Sequence, residues 1–311
     1  MARERPFCPP GGLAHVSRRT IDPALGLDLT PSRTLASRTG SVAIVIPAHN
    51  EQETIAAVVG ECLAALRFLQ VEGEVVVAAS GCDDDTARYA AKAGATVVTA
   101  PLGKGNAITA GLRATTADIV ALIDGDLRYY GNTPLAAALV APILDDLADA
   151  TVADLYWRPV YPQLWLHGFF APLAGRLFPE ILPKVGNTPW SGQRAALREL
   201  WPDRLPEGFT ADLAILLHWN DLRARVRPVL ADDWTNPQRP KPDLMRREFA
   251  LLTTHAVRRG RLAVRQVPGL RRWFDEVHDF MSRYRPGEDD PQEFEQDLLR
   301  HALSRLDDPA R

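Results

Sequence analysis

The run Val42-Ala43-Ile44-Val45-Ile46 constrains this chain more than any other stretch, because it is apolar, rich in β-branched side chains and free of polar interruption. A strand with one wet face alternates apolar and polar residues, so a short unbroken run predicts a strand buried on both faces, as in a parallel sheet covered by helices. Pro47 is expected to mark its end, since proline brings no N–H to a ladder. From Glu51 to Leu69, apolar residues at Ile55, Val58, Val59, Cys62, Leu63, Leu66 and Leu69 recur at helical spacing and predict an amphipathic helix. The alternation continues with strand 74–79, helix 83–93, strand 96–99, helix 105–114 and strand 119–123. This order predicts an α/β fold with a doubly wound, Rossmann-like, mostly parallel sheet. Ligands of such sheets bind beyond the carboxyl ends of the strands.

Three of the loops expected at those ends carry chemistry: Pro47-Ala48-His49-Asn50-Glu51, Ser80-Gly81-Cys82-Asp83-Asp84-Asp85-Thr86, and Asp124-Gly125-Asp126. Hard divalent cations take oxygen ligands and commonly bridge one or two carboxylates to substrate phosphates. An isolated D-x-D is more often a solvated turn. At a strand end within a β-α series, the metal-diphosphate reading is the stronger one. Gly103-Lys104-Gly105-Asn106 opens a predicted helix, where Lys104 offers a point charge for a phosphate or carboxylate. The spacing is not that of a Walker A loop, and no G-x-G-x-x-G follows the first strand, which argues against a nicotinamide dehydrogenase. Ser80 to Thr86 also suits plain helix capping.

Composition adds exclusions. The 311 residues carry a net charge of -3, which argues against nucleic-acid partners and polybasic membrane contact. Only four of the 36 basic residues are lysines, Lys92, Lys104, Lys184 and Lys241, so a lysine between two glycines is notable here while single arginines are not. Cys8, Cys62 and Cys82 form no C-x-x-C pair and indicate neither a disulfide framework nor a zinc ribbon. With no signal-like or membrane-spanning run, a cytoplasmic protein is expected.

Taken together, the segments 44–51, 80–86, 103–107 and 124–127 resemble the GT-A fold of nucleotide-sugar glycosyltransferases. The combination of P-A-x-N-E, G-K-G before a helix and D-x-D-L is most similar to the glucosyl-3-phosphoglycerate synthases and their relatives. The likeness covers about residues 41–240 and is stronger in its first half. It implies a nucleoside-diphosphate sugar (UDP or GDP) as donor, Mg²⁺ or Mn²⁺ as cofactor, a small-molecule acceptor, and retention at the anomeric carbon. It further implies that Pro47, Ala48, His49 and Glu51 line the base and ribose, that Ser80 reaches the base, and that Lys104 lies near the base or diphosphate. Asp126 would hold the metal, with Asp124 and Gly125 beside it at the ribose or metal. Ser191-Gly192-Gln193-Arg194 would face the donor sugar, and Asp212 would be a catalytic or sugar-facing acid. Thr210-Ala211-Asp212 is also similar to the T-E-D in which inverting enzymes present their base, so the role of Asp212 stays open.

Two departures stand out. Where the family grips an acceptor phosphate with Gly, Arg and Thr, this chain reads Tyr161-Pro162-Gln163-Leu164-Trp165-Leu166-His167. That change points to a non-phosphorylated acceptor that is uncharged, aromatic or cationic, although these aromatics could equally pack a cover over the sheet. Where the family places a late metal-binding His, the sequence reads Asp232-Asp233-Trp234-Thr235-Asn236, making Asp233 a candidate third ligand. The remaining expectations are an N-terminal arm over 1–40, partly disordered, and a donor-binding half over 41–127. An acceptor-binding half of the same domain follows over 128–240, then a helical C-terminal extension over 241–311 that supports a homodimer. His167 and His218 are weak acceptor-side candidates, His255, His278 and His301 read as surface groups, and Arg258-Arg259-Gly260-Arg261 reads as a solvated face. Alternatives are a glucosyl-3-phosphoglycerate synthase proper, a nucleotide-sugar-binding protein without transfer activity, or a nucleotidyltransferase, which would want a basic Gly-rich first loop that Pro47 to Glu51 does not supply.

Overall fold

Strands and helices alternate through the first half of the chain as β1 (Val42–Ala48), α1 (Ile55–Leu69), β2 (Gly73–Ser80), α2 (Thr86–Lys92), β3 (Thr96–Ala100), α3 (Lys104–Arg113) and β4 (Ile119–Leu122). The second half adds β5 (Arg128–Tyr129), α4 (Leu135–Leu144), β6 (Ala150–Leu155), α5 (Val160–Trp165), a π-helical turn (Leu166–Phe170), α6 (Ala171–Leu177), β7 (Arg194–Leu197), α7 (Ala211–Asp221), β8 (Val226–Ala231) and β9 (Trp234–Thr235). Three helices close the chain, α8 (Pro242–Arg258), α9 (Val267–Met281) and α10 (Pro291–Leu306). The structure is a computed structural model describing residues 40–129, 134–155, 160–231, 234–235 and 242–306. The expected N-terminal arm, Asp232, Asp233 and Asn236 lie outside the described residues.

The main sheet has seven strands in the order β3-β2-β1-β4-β7-β6-β8. β1 runs parallel to β2 and β4, and β2 parallel to β3, whereas β7 is antiparallel to both β4 and β6. The expected mostly parallel α/β sheet is therefore present, with one reversed strand in its middle. Val42 to Ile46 are fully buried, as their uniform apolarity requires. Their side chains alternate between the faces: Ile44 and Ile46 pack with Val58, Val59 and Leu139 of α1 and α4, and Val45 packs with Ile108, Ile215 and Trp219 of α3 and α7. Burying each such side chain is worth roughly 1.5–3 kcal/mol over leaving it in water.

Two helices start later than the periodicity suggests, and the loops explain why. The Glu51 amide donates to Thr86 Oγ1 at 2.7 Å and the Gln52 amide to Asp84 Oδ2 at 3.1 Å, so α1 begins only at Ile55. Asp83 to Asp85 are occupied in the same loop contacts, and α2 begins at Thr86. The C-terminal extension is not a separate appendage. Phe249, Trp273, Phe274 and Leu298 from α8, α9 and α10 share one apolar core with Leu164, Phe169, Phe170 and Leu173 from α5, the π-helical turn and α6. Arg259 pairs with Asp221, and Arg261 pairs with Glu180 at 2.6 Å while lying over the Phe178 ring, so the presumed solvated basic run ties the extension down. His278 is buried against Phe274 rather than being a surface group.

Candidate active site

The carboxyl ends of β1, β2 and β4 open onto a cavity of about 710 Å³. It is lined by the first loop (Pro47, Ala48, His49, Glu51), by Ser80, by Lys104, by Asp124, Gly125 and Asp126, by Ser191, Gly192 and Gln193, and by Asp212. The residues singled out from sequence are thus gathered in one place, Asp233 excepted because it lies outside the described residues. Sheet register accounts for part of this gathering. Leu122 pairs with Arg194 across β4 and β7, so continuing the antiparallel register sets Gly192 against Asp124. A Cβ at position 192 would lie 2.1 Å from Asp124 Oδ2 and 2.6 Å from Lys104 Nζ, which leaves glycine as the residue that fits.

Lys104 is the centre of an ion cluster. As the first residue of α3 it points its ammonium between Asp124 Oδ1 at 3.0 Å and Asp212 Oδ2 at 2.9 Å. Burial works against its charge, but the two carboxylates outweigh that and hold its pKa above the ordinary lysine value. Of the two partners expected for this point charge, a phosphate or a carboxylate, the structure supplies carboxylates. Asp212, second residue of α7, reaches Lys104 because the α3 and α7 N-termini are pressed together: the Gly105 amide donates to the Glu207 carbonyl at 2.9 Å, and a Cβ on Gly105 would collide with the Pro206 carbonyl at 1.7 Å. Arg194, fully buried, lies 3.5 Å from the Asp212 carboxylate and donates to the Asp212 carbonyl at 2.9 Å and the Ser191 carbonyl at 3.0 Å. Burial lowers its pKa, and the charges of Asp212 and Asp124 oppose that shift. Gln193 donates to Asp124 Oδ2 at 2.9 Å and accepts from the Ser191 hydroxyl at 2.9 Å. Both oxygens of Asp124 are therefore engaged by protein groups.

The first two loops are cross-tied in the same manner. His49 Nδ1 donates to the Ser80 carbonyl at 2.8 Å, and Thr54 Oγ1 donates to the Gly125 carbonyl at 2.7 Å. The Ser80 hydroxyl donates to the Pro101 carbonyl at 2.8 Å and accepts from the Gly103 amide at 2.9 Å, so its hydroxyl braces the turn into α3 at the cavity edge. Asp84 accepts from the Thr86 amide at 2.9 Å, and Asp85 pairs with Arg88 at 2.6 Å. Asp84 and Asp85 thus brace the loop and the start of α2.

Besides Asp124 and Asp212, the cavity has the carboxylates Asp126 and Glu51, on its β1 and β4 side. Glu51 is half-buried, and burial followed by the nearby charge of Asp126 pushes its carboxyl up to about 7. Such a concentration of hard oxygen donors fits Mg²⁺ or Mn²⁺. No group of three or more His, Cys, Asp or Glu among the described residues forms a ready-made cage. That agrees with a metal held by one or two carboxylates together with substrate phosphates.

The opposite wall is aromatic. Tyr161, Pro162 and Trp165 come from α5, so the aromatics of this segment sit on a regular helix. Trp190 packs on Trp165 with ring centroids 5.6 Å apart and stands edge-on to Phe170 at 5.3 Å. Leu244 and Glu248 of α8 complete this wall, and the sequence reading missed both. A signal was available: Glu248 interrupts the apolar stripe Met245, Phe249, Leu252 at a position where a helix normally buries a hydrophobe. His167 faces Glu295 at 3.6 Å, and neither it nor His218 lines the cavity. Among the described residues no helix is long and apolar enough to cross a membrane.

Comparison with known proteins agrees with this geometry. Residues 43–200 match the model of the glycosyl transferase family 2. The glucosyl-3-phosphoglycerate synthase of Mycobacterium tuberculosis is 34% identical over 224 residues, covering 62% of this chain and 68% of that protein. The crystal structure of the M. tuberculosis enzyme with Mn²⁺, uridine-diphosphate-glucose and phosphoglyceric acid superposes with a TM-score of 0.58 at 28% identity, covering 70% of this chain and 80% of that one. Its complex with Mn²⁺, uridine diphosphate and glucosyl-3-phosphoglycerate gives a TM-score of 0.57 at 29% identity over 70% and 80% of the two chains. The fold is thus that of the GT-A enzymes, and the chain is a glycosyltransferase belonging to glycosyl transferase family 2.

Proposed function

We propose that this enzyme moves a sugar from a UDP- or GDP-sugar to a small, non-phosphorylated acceptor, with retention at the anomeric carbon. One observation carries the reading: Asp126 and Glu51 line the same cavity as the Lys104–Asp124–Asp212 cluster, beyond the strand ends where ligands of such sheets bind. The first loop would receive the base and ribose, and Ser191 to Gln193 the donor sugar. Mg²⁺ or Mn²⁺ at Asp126 would supply charge stabilisation for the departing diphosphate, a kind of contribution that is usually the largest in such transfers. Asp212 is committed to Lys104 and Arg194, which supports a sugar-orienting role over that of a base. In a retaining transfer the departing diphosphate takes the acceptor proton, so the reading needs no protein base.

A non-phosphorylated acceptor is supported by the acceptor wall. Among the described residues lining the cavity, Lys104 is the one lysine, arginine is absent, and that lysine is paired twice. A cytoplasmic setting goes with the free thiols of Cys62 and Cys82, and a homodimer with the exposed Val264 and Leu303 on the extension. The deciding experiment incubates the protein with UDP- and GDP-sugars and Mn²⁺ and follows release of free nucleoside diphosphate. Slow, metal-dependent release is expected. Binding without release would instead support a sugar-nucleotide-binding protein.

A further inference from the structure

We infer that Arg194 is a positioning residue for the donor sugar: from behind the cavity wall it locks the Ser191 to Gln193 turn and Asp212 into one sugar-receiving surface. The inference rests on the donor reading above and adds a residue that does not itself line the cavity. By its place in the fold, position 194 is a core position. Side chains alternate along β7, which puts Arg194 on the same face as Ala196, where the core includes Val120, Ile215 and Trp219. Arg194 has no exposed surface, and a guanidinium taken out of water is destabilising unless its N–H groups and its charge are matched. An apolar side chain suits such a place, so the reason for an arginine lies in what it holds.

What it holds is the cavity wall. Nε and Nη2 both donate to the Ser191 carbonyl, Nε at 3.0 Å, and Nη1 donates to the Asp212 carbonyl at 2.9 Å. Nη2 also stands 3.5 Å from Asp212 Oδ1, a buried oxygen that accepts no hydrogen bond among the described residues and so relies on this charge. Trp219 backs the fork, its ring centroid 5.7 Å from the guanidinium carbon. Ser191 and Asp212 both line the cavity, and Gln193 of the same turn donates to Asp124. Arg194 thus fixes the end of β4 and the start of α7 relative to each other from behind, as Lys104 does from the cavity side. A planar fork can serve two carbonyls and a carboxylate at once, whereas a lysine ammonium is a single point charge. The first loop, proposed for base and ribose, is tied instead to Ser80, Thr86 and Gly125. Loss of Arg194 therefore misplaces the sugar and leaves the nucleotide where it was.

Arg194→Met and Arg194→Lys test this, with Mn²⁺ and whichever of UDP-glucose, UDP-galactose, GDP-glucose and GDP-mannose the wild-type protein cleaves fastest. Circular dichroism at the assay temperature reports folding, and calorimetry reports affinity for the free nucleoside diphosphate. Arg194→Met should bind that nucleotide within about threefold of wild type and lose about 100-fold in kcat. Arg194→Lys keeps a charge beside Asp212 without the fork, and should recover no more than about a tenth of the wild-type kcat. A brace for the fold alone would move nucleotide affinity in step with kcat, and that result overturns the inference. So does a kcat within about threefold of wild type in either folded variant, or failure of both variants to fold. A wild-type protein that binds UDP or GDP but cleaves none of the four sugar nucleotides removes the reaction this residue is assigned to serve, and leaves nucleotide binding intact. Failure of the wild-type protein to bind either nucleotide overturns the donor reading itself.

Discussion

The side of the cavity proposed for the donor and the side proposed for the acceptor are built from different materials. On the donor side, polar groups rise from strand ends and are fixed by one another: Lys104 by two carboxylates, Asp124 by Gln193, Asp212 by Arg194, Ser80 by the turn it braces. On the acceptor side, aromatic rings stand on α5 and the loop before β7, backed by an apolar core that recruits α8, α9 and α10. The first arrangement is preorganised electrostatics, which stabilises developing charge without moving. The second is shape and polarisability, the kind of surface the proposed acceptor would meet.

The largest test of that division falls on Asp126. Asp126→Ala should lower turnover by on the order of 10³-fold while circular dichroism and melting temperature stay near wild type, and chelation with EDTA should reproduce the loss in the unmodified protein. Retention of even a tenth of the activity would move the metal away from this residue. Lys104→Met comes next, because it leaves Asp124 and Asp212 without their shared partner. Denaturant unfolding should show a loss of about 3–5 kcal/mol along with loss of UDP release. A stable, active variant would show that the cluster is dispensable.

Smaller effects follow. Gly192→Ala should push Asp124 off Lys104, costing about 1–3 kcal/mol of stability and lowering kcat more than it raises KM for the donor. At the small end, Arg259→Ala removes a half-exposed arginine from Asp221, which keeps His255 as a partner, and should change stability by about 1 kcal/mol, with UDP release unaltered. An effect on turnover there would mean that the extension communicates with the chemistry more tightly than its packing suggests.

The donor side was largely legible in the sequence, since strand periodicity, the glycines around Lys104 and the paired acids at 124 and 126 are local patterns. The identity of Lys104's partners was not. Asp212 belongs to a helix far along the chain, and only the packing of Pro206 and Glu207 on Gly105 reveals that the two helix starts meet. Arg194 was visible as a residue but not as a buried brace, because an arginine-rich composition makes any single arginine uninformative. Glu248 lay in a segment read as a plain helical tail, and its place in an apolar stripe acquires meaning only once α8 is seen at the cavity. The antiparallel β7 escaped a reading tuned to βαβ units because four-residue strands carry little periodicity.

The wall contributed by α8 also has a consequence for the order in which the enzyme comes into being. Chains emerge from synthesis N-terminal end first and fold largely as they emerge. Strands β1 to β4 and the residues that hold one another at their ends can assemble early, and the clamp from β7 and α7 follows. The wall proposed to meet the acceptor is complete only after residue 248 has been made and joins Tyr161 and Trp165 at the cavity. On the proposed reading, the donor end is complete once Asp212 is made and the acceptor wall only once Glu248 follows, so that wall is the last part of the cavity to close.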